Sequence, residues 1–443
     1  MGTTLANAFP HKRFFLEMFT RDIALEDCLL DLVDNSIDSL VRHRDINPAK
    51  DILKKRKSRS AAPTHRVDLN LSDKGISISD NCGGIPRALI DEVFSFGHDP
   101  RASLGQLGAY GIGLKRAIFK IGEDFDLDTR TNGQGFRTSL DILEWAKHDE
   151  TPEDWKIPVQ LTTPTKGKPP GTDIRFTTLR EEVRMRLRDG AFLGRVSAAI
   201  AQTYCLFLED SIRVALNGKT VEPVELPLGS SSLIRPGKVE FTKGPVKVVI
   251  IASLAARRPD WAYDRAGWYV LCNGRVVVAA DKSDLTGWGE ALPNFHSKYN
   301  GFAGVVIFSS RNPLELPWTT TKRGLNRESP VFQSAKVEMN LLGRKIISFL
   351  NDMYPAELGE EPAERKIAEK VELRDIREVA TKKASAFEVT KRAQTVKTAI
   401  KVQYDATPQE LEKIRIAIRQ PKWGANRVGR FTFEHFLKTE CPD

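Results

Sequence analysis

Between Phe14 and Arg42 apolar residues return every three or four positions. Ile23, Leu25, Leu29, Leu30, Leu32, Val33, Ile37 and Leu40 share one face, which predicts an amphipathic helix. Residues 45–65 contain Lys54-Lys55-Arg56-Lys57 and read as a basic, solvated connector. Alternation of period two then predicts strands at 67–71 and 76–79, joined by a turn at Asp73-Lys74-Gly75. A glycine-rich stretch at 97–113 leads into a helix at 114–121. Further strands are expected at 125–131, 136–140, 159–163 and 173–177, and a long helix at 181–208 closes the first domain. Mixed elements with the strands gathered late predict an α/β sandwich rather than a Rossmann alternation.

A second α/β domain is expected to open with strands at 212–216 and 220–224 around Asn217-Gly218, a favoured hairpin turn. Strands at 246–254, 268–272, 275–279 and 304–308 follow, with Asn273-Gly274 as another hairpin turn and a closing helix at 332–350. Beyond Pro355 the chain turns charged, with helix expected over 362–402 and a short basic tail. The expected domains are 1–208, 209–352 and 353–443.

Composition narrows the class. Hydrophobic residues make up 41% of the 443 and charged residues 28%, the mix of a soluble globular protein. No apolar run approaches the roughly 18 residues that a membrane span requires. The first ten residues lack a charged start before an apolar core, so no secretory signal is expected. Five cysteines (Cys28, Cys82, Cys205, Cys272 and Cys441) stand singly, which fits a reducing, cytoplasmic setting. The dispersed histidines and cysteines predict no structural zinc. Lys and Arg number 67 against 58 Asp and Glu, a formal +9 that admits nucleic acid as a partner without requiring it.

Four motifs carry candidate chemistry. In Asp31-Leu32-Val33-Asp34-Asn35-Ser36-Ile37-Asp38, residues Asp31, Asn35 and Asp38 share one helical stripe. The asparagine oxygen suits Mg²⁺, and an acid one turn earlier can orient or deprotonate a water. Taken alone, three such residues also describe a solvated helix face. Ile78-Ser79-Asp80-Asn81-Cys82-Gly83-Gly84-Ile85-Pro86 ends a strand with a carboxylate that can accept from an exocyclic amine, though Asp-Asn before glycines is a common loop. Gly105-Gln106-Leu107-Gly108-Ala109-Tyr110-Gly111-Ile112-Gly113-Leu114-Lys115 opens a helix whose N-terminus can face phosphate. It is neither a Walker A loop nor a dinucleotide fingerprint. Pro170-Gly171-Thr172-Asp173 enters a strand and by itself signals nothing more.

In this order and spacing the four motifs resemble the N, G1, G2 and G3 boxes of the gyrase/heat-shock-90/histidine-kinase/MutL (GHKL) superfamily. Tyr110-Gly111-Ile112-Gly113-Leu114-Lys115, running on through Ile121-Gly122-Glu123-Asp124-Phe125 and Thr129, is most similar to MORC-type ATPases. The resemblance is specific over about 14–179, looser over 211–350, and does not reach the last part of the chain. It implies a Bergerat-fold α/β sandwich (a mixed sheet with helices on one face), then a transducer-type α/β domain and a helical C-terminal region.

By position, the resemblance implies ATP with Mg²⁺. Asn35 would ligate the metal, Asp80 would take the adenine amine, Gly84 followed by Ile85 would lie under the base, and Thr172 would hold a water-bridged contact. Gly108, Gly111, Ile112, Gly113 and Leu114, with Lys115 nearby, would wrap the phosphates. Lys322 in Trp318-Thr319-Thr320-Thr321-Lys322-Arg323-Gly324 resembles the lysine that senses the γ-phosphate, with Arg323 as a substitute and a solvated loop lysine as the plainer alternative. Two positions depart from the family. Asp31 stands where the catalytic residue is usually Glu, and Glu26 and Asp27 are weaker candidates for that role. Cys82 stands where Gly is common.

The implied behaviour is ATP-gated pairing of two chains through the lid and residues 1–20. The resulting homodimer would clamp DNA or a DNA-bound complex, in genome defence or repair. A chaperone-like remodelling ATPase and a slow nucleotide-sensing module are the alternatives. The C-terminal region, with Phe431, Phe433 and Phe436, is expected to dock on a partner protein.

Overall fold

The computed structural model describes residues 11–47, 51, 53–54, 63–95, 107, 111–148, 151–256, 261–354, 362–390 and 404–441. The chain divides into two compact units, 1–390 and 391–443.

The first unit begins with helices α1 (Lys12–Thr20) and α2 (Leu25–His43). The single helix read over 14–42 is therefore broken between Thr20 and Leu25. Its polar ends suit the helix dipole, with Glu26 and Asp27 in the first turn of α2 and Arg42 and His43 in the last.

Eight strands form the first sheet: β1 (His65–Ser72), β2 (Gly75–Asp80), β3 (Asp124–Arg130), β4 (Gly135–Asp141), β5 (Gln160–Thr162), β6 (Gly171–Phe176), β7 (Ile212–Leu216) and β8 (Lys219–Thr220). Their order is β5-β4-β3-β6-β2-β1-β7-β8. The sheet is mixed, because β7 runs parallel to β1 while the other pairs are antiparallel. Val67, Leu69 and Leu71 on β1 and Ile76 and Ile78 on β2 are buried, and their alternating neighbours are more exposed. One face thus packs inward under helices, as period-two patterning requires. α3 (Gly113–Ile121) lies against α2 on that side.

The long helix expected over 181–208 is three pieces: α4 (Glu181–Arg188), α5 (Phe192–Thr203) and α6 (Cys205–Asp210). Asp189-Gly190 ends the first piece, and Tyr204 (φ −112°, ψ 21°) interrupts the second. The hairpin expected to open the second domain joins the first sheet instead: β7 pairs with β1 in register from His65/Ile212 to Leu69/Leu216. Its second strand stops at Thr220.

The second sheet follows two short strands, β9 (Gly229–Ser230) and β10 (Ile234–Arg235). It comprises β11 (Gly237–Lys243), β12 (Val246–Leu254), β13 (Gly267–Cys272), β14 (Arg275–Asp281) and β15 (Phe302–Ser309), in the order β11-β12-β15-β13-β14. β13 and β15 are buried along their whole length, so both faces of the sheet are covered. α7 (Pro330–Asp352) packs on β12 and β15, while α5 and α6 pack on β14. Cys205 and Leu206 join a core with Val249, Ile251, Leu271 and Ile307, which makes α5 and α6 the layer between the two sheets.

The C-terminal region of this unit is helical in short pieces, 363–368 and 376–380, with β16 (Glu372–Leu373) returning to β9 and β17 (Glu388–Val389) to β10. The helix expected over 362–402 is not continuous, and residues 391–403 lie outside the described set. In the second unit the expected basic tail forms two helices, 408–417 and 425–440. Among the described residues no helix is long and apolar enough to cross a membrane.

Candidate functional site

α2 carries its polar stripe into the interior. Asp31 is 9% exposed and Asp38 4%, so the stripe is not a solvated face, and Asp34 beside it is 1% exposed. Asn35 is partly exposed, and its amide nitrogen is buried with no hydrogen-bond partner among the described residues. Buried polar groups are nearly always paired, so an unpaired amide marks a place for a ligand or water. The next residue, Ser36, donates from Oγ to Asp80 Oδ2 at 2.9 Å, which fixes this turn of α2 beside the end of β2.

Asp80 also accepts at Oδ1 from the backbone N–H of Cys82 (2.8 Å) and of Thr172 (3.3 Å). Burial pushes its carboxyl above the ordinary aspartate range, against the pull of those donors and of Ser36. Thr172 Oγ1 lies 3.0 Å from Thr129 Oγ1, which accepts from the Ile85 N–H at 2.8 Å. The second and fourth motifs are thereby tied together through a strand that neither contains. Gly84 has φ +72°, and a Cβ there would lie 2.1 Å from the Arg130 carbonyl oxygen, so only glycine fits. Cys82 is fully buried and takes its place in this turn.

The N-terminus of α3 sits on Asp31. A Cβ added to Gly113 would come 3.0 Å from Asp31 Cγ, so the bare backbone of the first helical turn packs against the acid. Ile112, at the cap position, supplies no capping side chain, and the first N–H groups of α3 remain suited to an anion. Leu114 turns into the core. Gly111 has φ +61° and is exposed. Gly108 lies outside the described residues, as does most of the lid. Leu107 is described, and its N–H reaches the Asp38 carboxylate.

Lys115 does not project into open space. Its ammonium donates to the Glu92 carbonyl at 3.3 Å and to the Gly111 carbonyl, and burial draws its pKa down to about 8. Over the interval from about 8 up to an unfolded value near 10.4, the unfolded chain keeps a proton that the folded chain has released, so stability rises with pH. The melting temperature of the wild type, taken relative to Lys115→Met, is expected to climb between about pH 8 and about pH 10. A flat difference would mean that Lys115 titrates normally in the folded protein.

Lys322 arrives from the second sheet's side of the unit. Its ammonium lies 2.6 Å from Asp34 Oδ2 and 3.8 Å from Asp31 Oδ1, and the residue is 6% exposed, so it is not a solvated loop lysine. Asp34 is fully enclosed: Arg275 Nε is 3.1 Å and the Tyr204 hydroxyl 2.7 Å from its Oδ1. Burial pushes the Asp34 carboxyl up, but Arg275 and Lys322 outweigh it and hold it below the ordinary range. Burial dominates at Asp31 and raises its pKa, with Lys322 opposing. The other candidates are engaged elsewhere. Glu26 pairs with Arg186 at 3.0 Å and Arg195 at 3.8 Å, and Asp27 pairs with Arg323.

Residues 23–165 match the family model described as histidine kinase-, DNA gyrase B-, and HSP90-like ATPase. The match supports a GHKL-type ATPase domain over this segment. The matched span runs from two residues ahead of α2 through β5 and covers less than half of the chain. No curated protein matches the sequence.

Several residues of this site were not singled out by sequence reasoning: Asp34, Ser36, Tyr204 and Arg275. Arg275 was within reach, because Asn273-Gly274 marks the tight turn that immediately precedes it and Asn273 and Gly274 both take positive φ. Tyr204 carries no local signal.

Proposed function

We propose that the chain is a Mg-ATP-dependent ATPase of MORC-like character. Asp80 would take the adenine amine, Asn35 would ligate Mg²⁺, Asp31 would orient or deprotonate the attacking water, and Lys322 would sense the γ-phosphate. ATP-dependent pairing of two chains through the lid and N-terminal segment would gate a clamp on DNA or a DNA-bound complex. The observation that carries the nucleotide reading is the buried Asp80 carboxylate bonded to Ser36, one residue from the unpaired amide of Asn35.

Mg²⁺ fits the residues present. The described residues contain no group of three or more His, Cys, Asp or Glu able to hold a metal. Mg²⁺ commonly takes one or two protein oxygens and completes its shell with phosphate and water, so a single asparagine suffices. The metal would neutralise charge on the phosphates. The chain's own contribution is a dry acid at Asp31, packed on the N-terminus of α3, and a cation at Lys322 beside it.

A slow nucleotide-sensing module is the second reading, and Asp31 favours it. Its carboxylate is about 1.5 Å shorter in reach than a glutamate, and a misplacement of about an angstrom can cost on the order of a hundredfold in rate. Phosphate release from ATP, with and without DNA across a salt series, separates these readings. The clamp predicts Mg²⁺-dependent release that DNA stimulates and salt suppresses. A rate indifferent to DNA at every salt concentration would remove the clamp and leave the sensing or chaperone-like roles.

A further inference from the structure

Asp34, Tyr204, Arg275 and Lys322 form a closed polar cluster where the first sheet's helix meets the second sheet and the intervening helices. Four segments far apart in sequence meet there: α2 supplies Asp34, the break between α5 and α6 supplies Tyr204, the start of β14 supplies Arg275, and the loop between β15 and α7 supplies Lys322. Arg275 makes two bonds of different kinds. Its Nε meets Asp34 Oδ1 at 3.1 Å, and its Nη1 donates to the backbone carbonyl of Lys322 at 2.8 Å. Lys322 in turn closes the ring with its ammonium on Asp34.

The backbone of Lys322 has φ +54°. A residue with a long side chain keeps that left-handed conformation only where its surroundings enforce it. Two bonds enforce it here: Arg275 on the Lys322 carbonyl, and the Lys322 N–H donating to the Thr319 carbonyl at 2.9 Å. Without the left-handed turn the lysine side chain would leave the loop in another direction.

We infer that Arg275 is a positioning residue, a role that rests on the chain being an ATPase: its guanidinium grips Asp34 with one arm and the Lys322 carbonyl with the other, and so holds the Lys322 ammonium on Asp34, 3.8 Å from Asp31. Arg275 and Asp34 form the fixed socket, and the lysine ammonium is the movable part. Asp34 keeps Arg275 and Tyr204 as partners when Lys322 turns toward a phosphate, so the lysine can leave without stranding a buried carboxylate. Neither Asp34 nor Arg275 need touch ATP for this.

Two variants test the socket. Arg275→Gln keeps a donor but removes the charge, and Arg275→Lys keeps a charge on Asp34 but loses the second arm. Three readouts are expected to agree. Without nucleotide, hydrogen exchange over residues 318–325 should accelerate in Arg275→Gln while exchange in β12 and β15 stays as in the wild type. With Mg-ATP, kcat should fall at least about tenfold while the ATP Kd stays within about threefold, and Arg275→Lys should recover part of the rate. In Arg275→Gln combined with Lys322→Ala, the rate should match Lys322→Ala alone, because Arg275 acts through the lysine. Losses that multiply, or exchange and kcat both unchanged in Arg275→Gln, would overturn the role. If the wild type binds no ATP while loop exchange still responds to Arg275→Gln, the ATPase reading fails and the socket survives as a structural fact.

Discussion

Replacing Asp31 by Asn is expected to leave ATP binding within about threefold and to cut phosphate release by ~10²–10⁴-fold, the range that one positioned general base contributes. The substitution conserves shape, so the packing of α3 on this residue through Gly113 should survive it. What is lost is the charge that accepts a proton. The pH dependence follows with its sign. A base works only when deprotonated, and burial holds Asp31 above the ordinary aspartate range, so kcat should fall on acidification at a pH above that range. Lys322 pulls the other way. Residual turnover in Lys322→Ala should therefore lose activity at a higher pH than the wild type does. Phosphate release followed across pH checks both statements. Unchanged turnover in Asp31→Asn would take the base role from this residue.

The second large effect belongs to Asp80. Its Oδ1 accepts two backbone N–H groups and its Oδ2 one hydroxyl, leaving lone-pair capacity for one further donor. In Asp80→Asn the amide oxygen can keep the two backbone bonds and the amide nitrogen can donate to Ser36, so the fold should persist. The fourth partner is the problem, because an NH₂ group cannot accept from the adenine amine. A buried donor left without a partner costs about 1–3 kcal/mol, and more when the lost acceptor was charged. ATP affinity measured by calorimetry is therefore expected to drop about a hundredfold or further, with a melting temperature close to that of the wild type. Wild-type affinity in Asp80→Asn would place adenine elsewhere.

Local patterns made much of the fold readable. The period-two runs on β1 and β2 and the NG turn before Arg275 announce themselves within a few residues, and so does the 3.6-residue repeat of α2. The β12 strand was expected at 246–254 and spans Val246–Leu254. Elements decided by distant partners were not readable. β7 follows an NG-turn pattern that suits any hairpin, and only its parallel pairing with β1, across more than a hundred residues, assigns it to the first sheet. The helix break at Tyr204 has no glycine or proline to signal it. Its side chain reaches the Leu30 carbonyl and Asp34 on α2, contacts that lie beyond any local pattern.

The site divides the same way. Asp31, Asn35, Asp80 and Thr172 stand in recognisable motifs, whereas Asp34 looks like one more polar residue on α2 until Arg275 and Lys322 close on it. Lys115 shows the reverse case. It sits in the phosphate motif, yet its ammonium is taken up by two carbonyls of its own chain.

Titration of the chain with ATP and with GTP, both with Mg²⁺, tests the nucleotide pocket most directly. GTP presents a carbonyl oxygen where ATP presents an amino group, so the Asp80 carboxylate should accept one and repel the other. Saturable ATP binding with GTP at least about tenfold weaker is the expected result. No binding of ATP, or equal affinity for the two nucleotides, would contradict an adenine site at Asp80.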